Sequence, residues 1–168
     1  NGGIWQPGDV IQAAIGQSDN AFTPLQLATY CATIANNGTR LKTHLVKQVT
    51  NYNRDQVISE TEPEVVAQVD ISEENLKTVQ EAMKGVTQSG GTANSVFGDY
   101  GITIAAKTGT AENPGHSDNV TFIAYAPYDD PEIAVAVVLE YGSRGTYSMN
   151  VAKDIFDAYF YGKTVDEN

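Results

Sequence analysis

The sequence is poor in the residues that build metal sites and disulfides. Its 168 residues include two histidines and a single cysteine, Cys31. One cysteine cannot form a disulfide within the chain, and structural zinc sites take four Cys or His ligands. We therefore predict no metal site and no cofactor. Cys31 lies in an apolar helical pattern, which indicates buried packing rather than a nucleophile.

Positive charge is also scarce. Ten Lys and Arg residues face 21 Asp and Glu, for a net charge of −11. Nucleic acid is excluded as a partner, because phosphate binding needs a basic face. No apolar run approaches the roughly 18 residues that cross a bilayer, and the first three residues do not resemble a signal peptide. We expect any membrane anchor to lie outside this sequence.

Three segments combine helical periodicity with end signals. We predict a helix over 24–36, where Thr23 is the N-cap of a T-x-x-Q capping box. A second helix is predicted over 73–86 with Ser72 as its N-cap. A third, over 148–161, has one broad apolar face.

Three strands are predicted over 102–108, 120–126 and 133–140. The Pro- and Asp-rich link at 127–131 makes the last two an antiparallel hairpin. The last strand is apolar on both faces, so we expect cover on both sides. The fold class is therefore α+β, with a three-stranded antiparallel sheet.

The remaining segments contain fewer signals. Residues 4–20 are rich in Gly, Pro and Gln and indicate a loop, as does 88–101. Residues 41–69 indicate a hairpin that turns at 53–55. We thus expect one domain, with a mostly helical and loop portion over 1–100 and a sheet portion with the C-terminal helix over 101–168.

The stretch Lys107-Thr108-Gly109-Thr110 is the strongest candidate site. A lysine, two hydroxyls and a glycine suit an edge strand that a ligand approaches closely, with Lys107 and Gly109 on one face and the threonines on the other. Gly109 leaves room for a ligand backbone to pair with the strand. Lys107 supplies charge for a carboxylate, and Thr110 supplies a hydroxyl and an N–H that could polarise a carbonyl.

Other polar residues nearby have plainer interpretations. His116 and Arg144 are predicted in exposed turns, where Arg144 could meet an anion. Glu112 is interpreted as a solvated carboxylate, and Ser117–Asn119 as a turn. Trp5, beside Pro7, is expected to pack as a structural anchor.

Four separate blocks of the sequence resemble one family. They are GDVIQAAIGQSDNAFTPLQLATYCATIANNGT, SGGTANSVFGDYGITIAAKTGTAEN, FIAYAP and PEIAVAVVLEYG. In order and spacing they are similar to the class B penicillin-binding proteins, whose third motif is K-T-G. The resemblance implies catalytic roles for Lys107 and Thr108, and substrate binding by Gly109 and Thr110.

The family's nucleophile motif, S-x-x-K, is missing, because no serine here has a lysine three residues later. The chain thus resembles the C-terminal part of a transpeptidase domain, downstream of the S-x-x-K and S-x-N motifs. The resemblance implies that two further strands, the N-terminal helix and the nucleophile helix precede residues 1–168. Strand 133–140 would then have a free edge, and we expect this chain alone to self-associate.

The resemblance implies a serine-type D,D-transpeptidase that cross-links peptidoglycan stem peptides. Its partners would be a stem peptide ending in D-Ala-D-Ala and β-lactam antibiotics. It would act at the extracytoplasmic face of a bacterial membrane, anchored by a segment absent here. The alternatives are a D,D-carboxypeptidase, a β-lactamase or a β-lactam sensor of the same fold, and a non-catalytic scaffold. An S-x-x-K upstream in the parent gene would favour an enzyme over a scaffold.

Overall fold

A computed structural model of the chain describes residues 4–17 and 20–163. These residues form five helices separated by strands and loops. The helices are α1 (Pro7–Ala14), α2 (Pro24–Ala35), α3 (Glu73–Gly85), α4 (Asn94–Phe97) and α5 (Gly145–Tyr161). None of the helices in the described ranges has the length and apolarity that crossing a membrane requires.

The strands of the described residues form three antiparallel sheets. They are β1 (Thr39–Leu41), β2 (Gln48–Thr50), β3 (Val57–Glu60), β4 (Val65–Gln68), β5 (Ala105–Ala111), β6 (Asn119–Ala126) and β7 (Ile133–Leu139). The main sheet has the order β5-β6-β7, while β1 pairs with β4 and β2 with β3. The α+β class and the three-stranded sheet are confirmed.

Strand β6 lies at the centre of the main sheet, and its side chains belong alternately to two hydrophobic clusters. Phe122 and Ala124 lie in a cluster with Phe97 of α4 and Phe156 of α5. On the opposite face, Ile123 and Tyr125 pack with Cys31 of α2 and Leu76 of α3. Both faces of the sheet are therefore covered by helices. This confirms the two-sided cover predicted for β7, since Val135 belongs to the first cluster and Ala134 packs on the second.

The helix ends follow the predicted capping. The Thr23 hydroxyl accepts from the Gln26 N–H at 3.2 Å, and the Gln26 side chain accepts from the Thr23 N–H at 2.8 Å. The Ser72 hydroxyl accepts from the Asn75 N–H. Helices α2 and α3 thus begin at the predicted residues and end one residue earlier than predicted.

The predicted strand over 102–108 is displaced: β5 runs instead over Ala105–Ala111. Regular pairing begins where Ala105 lies opposite Tyr125. The neighbouring strand β6 ends at Ala126, and the next residue, Pro127, has no N–H with which to continue the backbone hydrogen bonds to β5. The shift has a functional consequence, because it places the whole of Lys107–Thr110 inside the strand.

Helix α5 begins at Gly145, three residues before the predicted start at 148. Ser148 is not a cap: it is 1% exposed, and its hydroxyl donates to the Gly145 carbonyl at 2.8 Å. The serine therefore satisfies its polar atom within the first helical turn.

Two segments predicted as loops contain helices. Helix α1 lies within 4–20, where the Asp9 carboxylate accepts from the Gln6 N–H at 2.7 Å and stabilises the first turn. Helix α4 is a single turn within 88–101. Trp5 is 59% exposed and is not the packed anchor that we predicted.

Residues 39–68 lie within the portion predicted as mostly helix and loop, and they form four short strands. The predicted hairpin is β2–β3, and its connection includes 53–55. The pairing of β1 with β4 around that hairpin had no sequence signal.

The C-terminal helix is tied to the rest of the fold by a buried carboxylate. Asp157, 5% exposed, accepts from the Tyr100 hydroxyl at 2.8 Å and from the Lys153 ammonium at 2.6 Å. Burial opposes ionisation of Asp157, but the hydrogen bonds from Lys153 and Tyr100 outweigh it and lower the pKa of this carboxyl. Burial and the hydrogen bond to Asp157 raise the pKa of the Tyr100 hydroxyl.

We expect Asp157→Asn to lower the free energy of unfolding by about 1.5–3 kcal/mol at neutral pH, the usual contribution of a hydrogen bond to a charged group. Because the folded-state pKa is lowered, the stabilisation is present above the unfolded-state value of about 4. It is lost as pH falls through the folded-state pKa. Urea unfolding of both proteins between pH 7 and pH 3 measures the difference.

The matched control is Asp154→Asn, an exposed carboxylate on the same helix. It should change stability by less than about 0.5 kcal/mol. A difference between Asp157→Asn and the unchanged protein that stays constant across this pH range would contradict the assignment.

Candidate active site

The Lys-Thr-Gly-Thr stretch occupies the middle of an edge strand. Lys107 lies opposite Ile123 of β6, and Thr110 lies opposite Val120. Within the described residues β5 pairs only with β6, so its other edge has no strand partner. An edge of this kind can receive an extended peptide by backbone pairing.

The side chains of β5 alternate between the two faces of the sheet. Ala105 packs in the cluster with α2 and α3, whereas Ala106 packs in the cluster with α4 and α5. Period-two alternation then assigns Lys107 and Gly109 to the α2/α3 face, and the two threonines to the α4/α5 face. Strand pairing agrees with this predicted division, because Thr108 lies opposite Phe122 of the α4/α5 cluster and Lys107 lies opposite Ile123 of the α2/α3 cluster.

Polar contacts hold two of the motif residues. The Lys107 ammonium is exposed and donates to the Thr108 carbonyl at 2.6 Å. The Thr108 hydroxyl lies 3.0 Å from the Thr92 hydroxyl, and either atom can be the donor. A positive charge and a hydroxyl are thus presented by adjacent residues of the edge.

The space around Gly109 is open. A Cβ added there would meet only Thr121 of the neighbouring strand, at 3.5 Å, which is ordinary van der Waals contact. Among the described residues, packing therefore does not require a glycine at this position. Its absent side chain keeps the strand surface low, as close approach of a ligand backbone requires.

The start of β5 is fixed by a buried hydroxyl. Thr87, 4% exposed, follows α3, and its hydroxyl contacts the Ile104 carbonyl at 2.7 Å and the Lys84 carbonyl at 3.0 Å. The backbone of Thr87 in turn accepts from the Asn94 side chain at 3.1 Å. The loop between α3 and α4 is thereby fastened to the residue that immediately precedes β5. Sequence reasoning missed Thr87, because a threonine after a helix gives no signal of a contact 17 residues away.

The turns at the far end of β5 lie against each other. The His116 ring contacts the Tyr141 ring, with centroids 5.1 Å apart. The Asn119 side chain accepts from the Tyr141 N–H at 2.9 Å, and the Asp118 carbonyl accepts from the Ser143 N–H at 3.1 Å. The turn predicted at Ser117–Asn119 is displaced: it lies at 114–115, and Asn119 is already the first residue of β6. His116 is exposed, as predicted.

The other candidates remain peripheral. Arg144 is exposed and precedes α5, and Glu112 follows β5 directly. Cys31 is fully buried, and burial raises the pKa of its thiol to about 12, so the thiolate is disfavoured. Cys31 packs in the core as predicted.

The tripeptide Ser-Asp-Asn, which fits the family's S-x-N pattern, occurs at residues 117–119 and also at residues 18–20, and sequence reasoning missed the latter. Ser18 and Asp19 lie outside the described residues. The Asn20 amide donates to the carbonyls of Ala13 and Gln17, at 3.2 and 3.0 Å. Asn20 thus satisfies backbone groups at the end of α1, which is a structural use of this side chain.

A comparison with protein families decides what this edge strand belongs to. Residues 1–160 match the model of the penicillin binding protein transpeptidase domain. The chain belongs to the penicillin-binding protein transpeptidase family. The resemblance stated from the sequence motifs is confirmed.

Individual members of the transpeptidase family are similar to this chain over most of its length. Penicillin-binding protein 2A of Bacillus subtilis is 37% identical, over 91% of this chain and 24% of its own length. Peptidoglycan D,D-transpeptidase MrdA of Haemophilus influenzae is 30% identical, over 92% of this chain and 26% of its own length. The chain therefore spans about a quarter of the length of these curated relatives.

A solved structure of the family also superimposes on the chain. The imipenem acyl-enzyme complex of penicillin-binding protein A from M. tuberculosis matches with a TM-score of 0.74 and 30% identity. The match covers 88% of this chain and 33% of that one. The described residues thus have the fold of part of a penicillin-binding transpeptidase domain.

We expect Thr87→Val to lower the free energy of unfolding by about 1–3 kcal/mol, because it leaves the buried Ile104 carbonyl without this donor. Thr78→Val is the matched control, since the Thr78 hydroxyl donates to the Glu74 carbonyl on the exposed face of α3. Chemical denaturation of the 168-residue chain compares the two variants. Equal, small decreases in the free energy of unfolding of the two variants would show that the buried Thr87 hydrogen bond stabilises the fold no more than an exposed one.

Proposed function

We propose that this chain is the substrate-strand part of a peptidoglycan D,D-transpeptidase, which cross-links stem peptides through a serine acyl-enzyme. The observation that carries the proposal is the free edge of β5, where Lys107, Thr108 and Thr110 follow one another around an unobstructed glycine. The family match and the names of the relatives support it.

The chemistry of the edge suits a peptide that ends in D-Ala-D-Ala. An extended peptide pairs with the outer backbone groups of β5, and its passage over Gly109 meets no side chain. The terminal carboxylate is received at the strand edge by the threonine hydroxyls and by the Lys107 ammonium, which reaches the Thr108 carbonyl from the other face. A donor at Thr110 polarises the carbonyl under attack, in the manner of an oxyanion hole.

The nucleophile is supplied by residues outside this chain. Because the 168 residues have no S-x-x-K, the attacking serine belongs to the longer protein. That serine attacks the penultimate D-alanine carbonyl, D-alanine leaves, and an amine of a neighbouring stem peptide resolves the ester. A β-lactam acylates the same serine, which agrees with the imipenem acyl-enzyme of the M. tuberculosis relative.

The location follows from the substrate. Peptidoglycan is assembled outside the cytoplasmic membrane of bacteria, so this domain works at the extracytoplasmic face and its anchor belongs to the longer protein. No nucleic acid takes part, in keeping with the net charge of −11.

The proposal is tested by acylation of the full-length protein with a fluorescent reporter penicillin. We expect stoichiometric labelling of the unchanged protein and lower acylation rates in Thr110→Ala and Lys107→Ala. Removing one preorganised donor usually costs about 10²–10³ in rate, and the loss in Thr110→Ala should be smaller because alanine keeps the backbone N–H. Stopped-flow fluorescence gives the rates, and circular dichroism verifies that both variants stay folded.

The 168-residue chain is the negative control in the same experiment, and mass spectrometry should find no covalent adduct on it. An adduct on the isolated chain would show that the nucleophile has been misplaced. Unlabelled full-length protein would favour a non-catalytic scaffold of the same fold. Unchanged rates in both variants would remove the motif from the mechanism.

We also expect the isolated chain to form dimers or larger species. Strand β7 is apolar along Ile133–Leu139 and pairs only with β6 among the described residues. On α5, Val151, Ile155 and Tyr159 are exposed at helical spacing. Unpaired edges and exposed apolar patches tend to find partners.

Light scattering after size exclusion at micromolar concentration measures the mass. Ile155→Lys, with Ala158→Lys as the control at an exposed position of the same helix, separates the two surfaces. A reduced mass in Ile155→Lys alone assigns the contact to α5, and an unchanged mass assigns it to the β7 edge. A monomer at every concentration would contradict the prediction.

A further inference from the structure

Thr92 lies in the loop before α4, and its hydroxyl is 3.0 Å from that of Thr108 in the Lys-Thr-Gly-Thr strand. Thr92 itself is exposed, so burial of its side chain does not account for its position. The contact joins residues 16 positions apart in the chain. Among the described residues, it is the one hydrogen bond made by the side chain of a motif threonine.

The loop that carries Thr92 is held firmly on both sides. The next residue, Ala93, is fully buried, and its N–H donates to the Val86 carbonyl at 2.9 Å. The preceding residue, Gly91, packs so closely that an added Cβ would lie 2.2 Å from the same carbonyl. Thr87 fastens the start of the loop to Ile104. The backbone that carries Thr92 is therefore held in place relative to β5.

The direction of this hydrogen bond decides what Thr108 can do. A hydroxyl has one proton to donate and two lone pairs that accept. If Thr108 donated its proton to Thr92, none would be left for an anion at the strand edge. If Thr92 donates instead, the Thr108 proton is free to bind the anion. Donation to an anion also makes the Thr108 oxygen a better acceptor, so the two bonds strengthen each other.

The charge distribution favours the second arrangement once an anion is bound. The Lys107 ammonium lies 2.6 Å from the Thr108 carbonyl, so positive charge is already placed beside this residue. An arriving carboxylate can only accept hydrogen bonds. Thr108 must then donate to it, which leaves Thr92 as the donor to Thr108.

We propose that Thr92 is a positioning residue for carboxylate recognition, donating its hydroxyl proton to Thr108 so that Thr108 donates to the substrate or β-lactam carboxylate. The inference rests on the proposed function, because it takes the ligand to be the carboxylate-bearing substrate of a transpeptidase. Thr92 does not touch the ligand and acts through Thr108.

The test uses the full-length protein, the reporter penicillin and the methyl ester of that penicillin. Thr92→Val removes the hydroxyl at constant shape and should raise the concentration that half-saturates acylation by roughly 2–10-fold, the range for one hydrogen bond. The limiting rate of acylation should change little. Thr92→Ser keeps the hydroxyl and should restore binding.

Two further comparisons separate positioning from a general structural effect. In a Thr108→Val background, adding Thr92→Val should change nothing more, because the two residues act as one unit. With the methyl ester, which has no carboxylate, Thr92→Val should match the unchanged protein. Thr78→Val, on the exposed face of α3, is the control expected to acylate normally.

Each opposite result would overturn the inference. Unchanged half-saturation in Thr92→Val, losses that add independently to those of Thr108→Val, failure of Thr92→Ser to rescue, or equal losses with the ester each exclude positioning. A full-length protein that no penicillin labels would instead overturn the proposed function, and this inference with it. Labelling of the unchanged protein therefore distinguishes the two failures.

Discussion

The structure depends on the register between β6 and its two neighbours. Nearly all of β6 is buried, and its side chains alternate between the two hydrophobic clusters. A slip of one residue would exchange the faces, placing Phe122 against α2 and Tyr125 against α5. The same register sets Lys107 opposite Ile123. The register therefore sets both the packing of the core and the position of the candidate site, because a change of register would move both.

Much of this arrangement could be predicted from local signals. Helices α2 and α3 begin where Thr23 and Ser72 cap them. A capping side chain accepts from a backbone N–H only three residues away, so the sequence pattern is enough to predict it. The motif at 107–110 can also be recognised from its local composition, because a charge, hydroxyls and a glycine are unsuited to a buried strand. Its place on an edge, and the family, followed from the sequence.

The errors lie where distant contacts decide the structure. Strand β5 begins at Ala105 because β6 ends next to Pro127, and that pairing is not encoded near residue 102. The sequence pattern places the start of α5 at Ser148, but Ser148 is buried and its hydroxyl donates to the carbonyl of Gly145, where the helix begins. The contact between Thr92 and Thr108 belongs to the same class, since it requires knowing how the loop before α4 is folded. Local sequence patterns do not show which residues distant in the chain will contact each other.

The two edges of the sheet that have no strand partner among residues 4–17 and 20–163 differ in a way that bears on the proposed function. An unpaired edge invites association with other chains, and charge is one of the protections against it. Strand β5 has Lys107 on its edge, a charge that disfavours pairing with another sheet, and its open glycine suits the single extended peptide of the proposed function. Strand β7 has no charged residue between Ile133 and Leu139, and its protection must come from whatever covers it. Composition thus separates an edge suited to transient recognition from one suited to permanent burial.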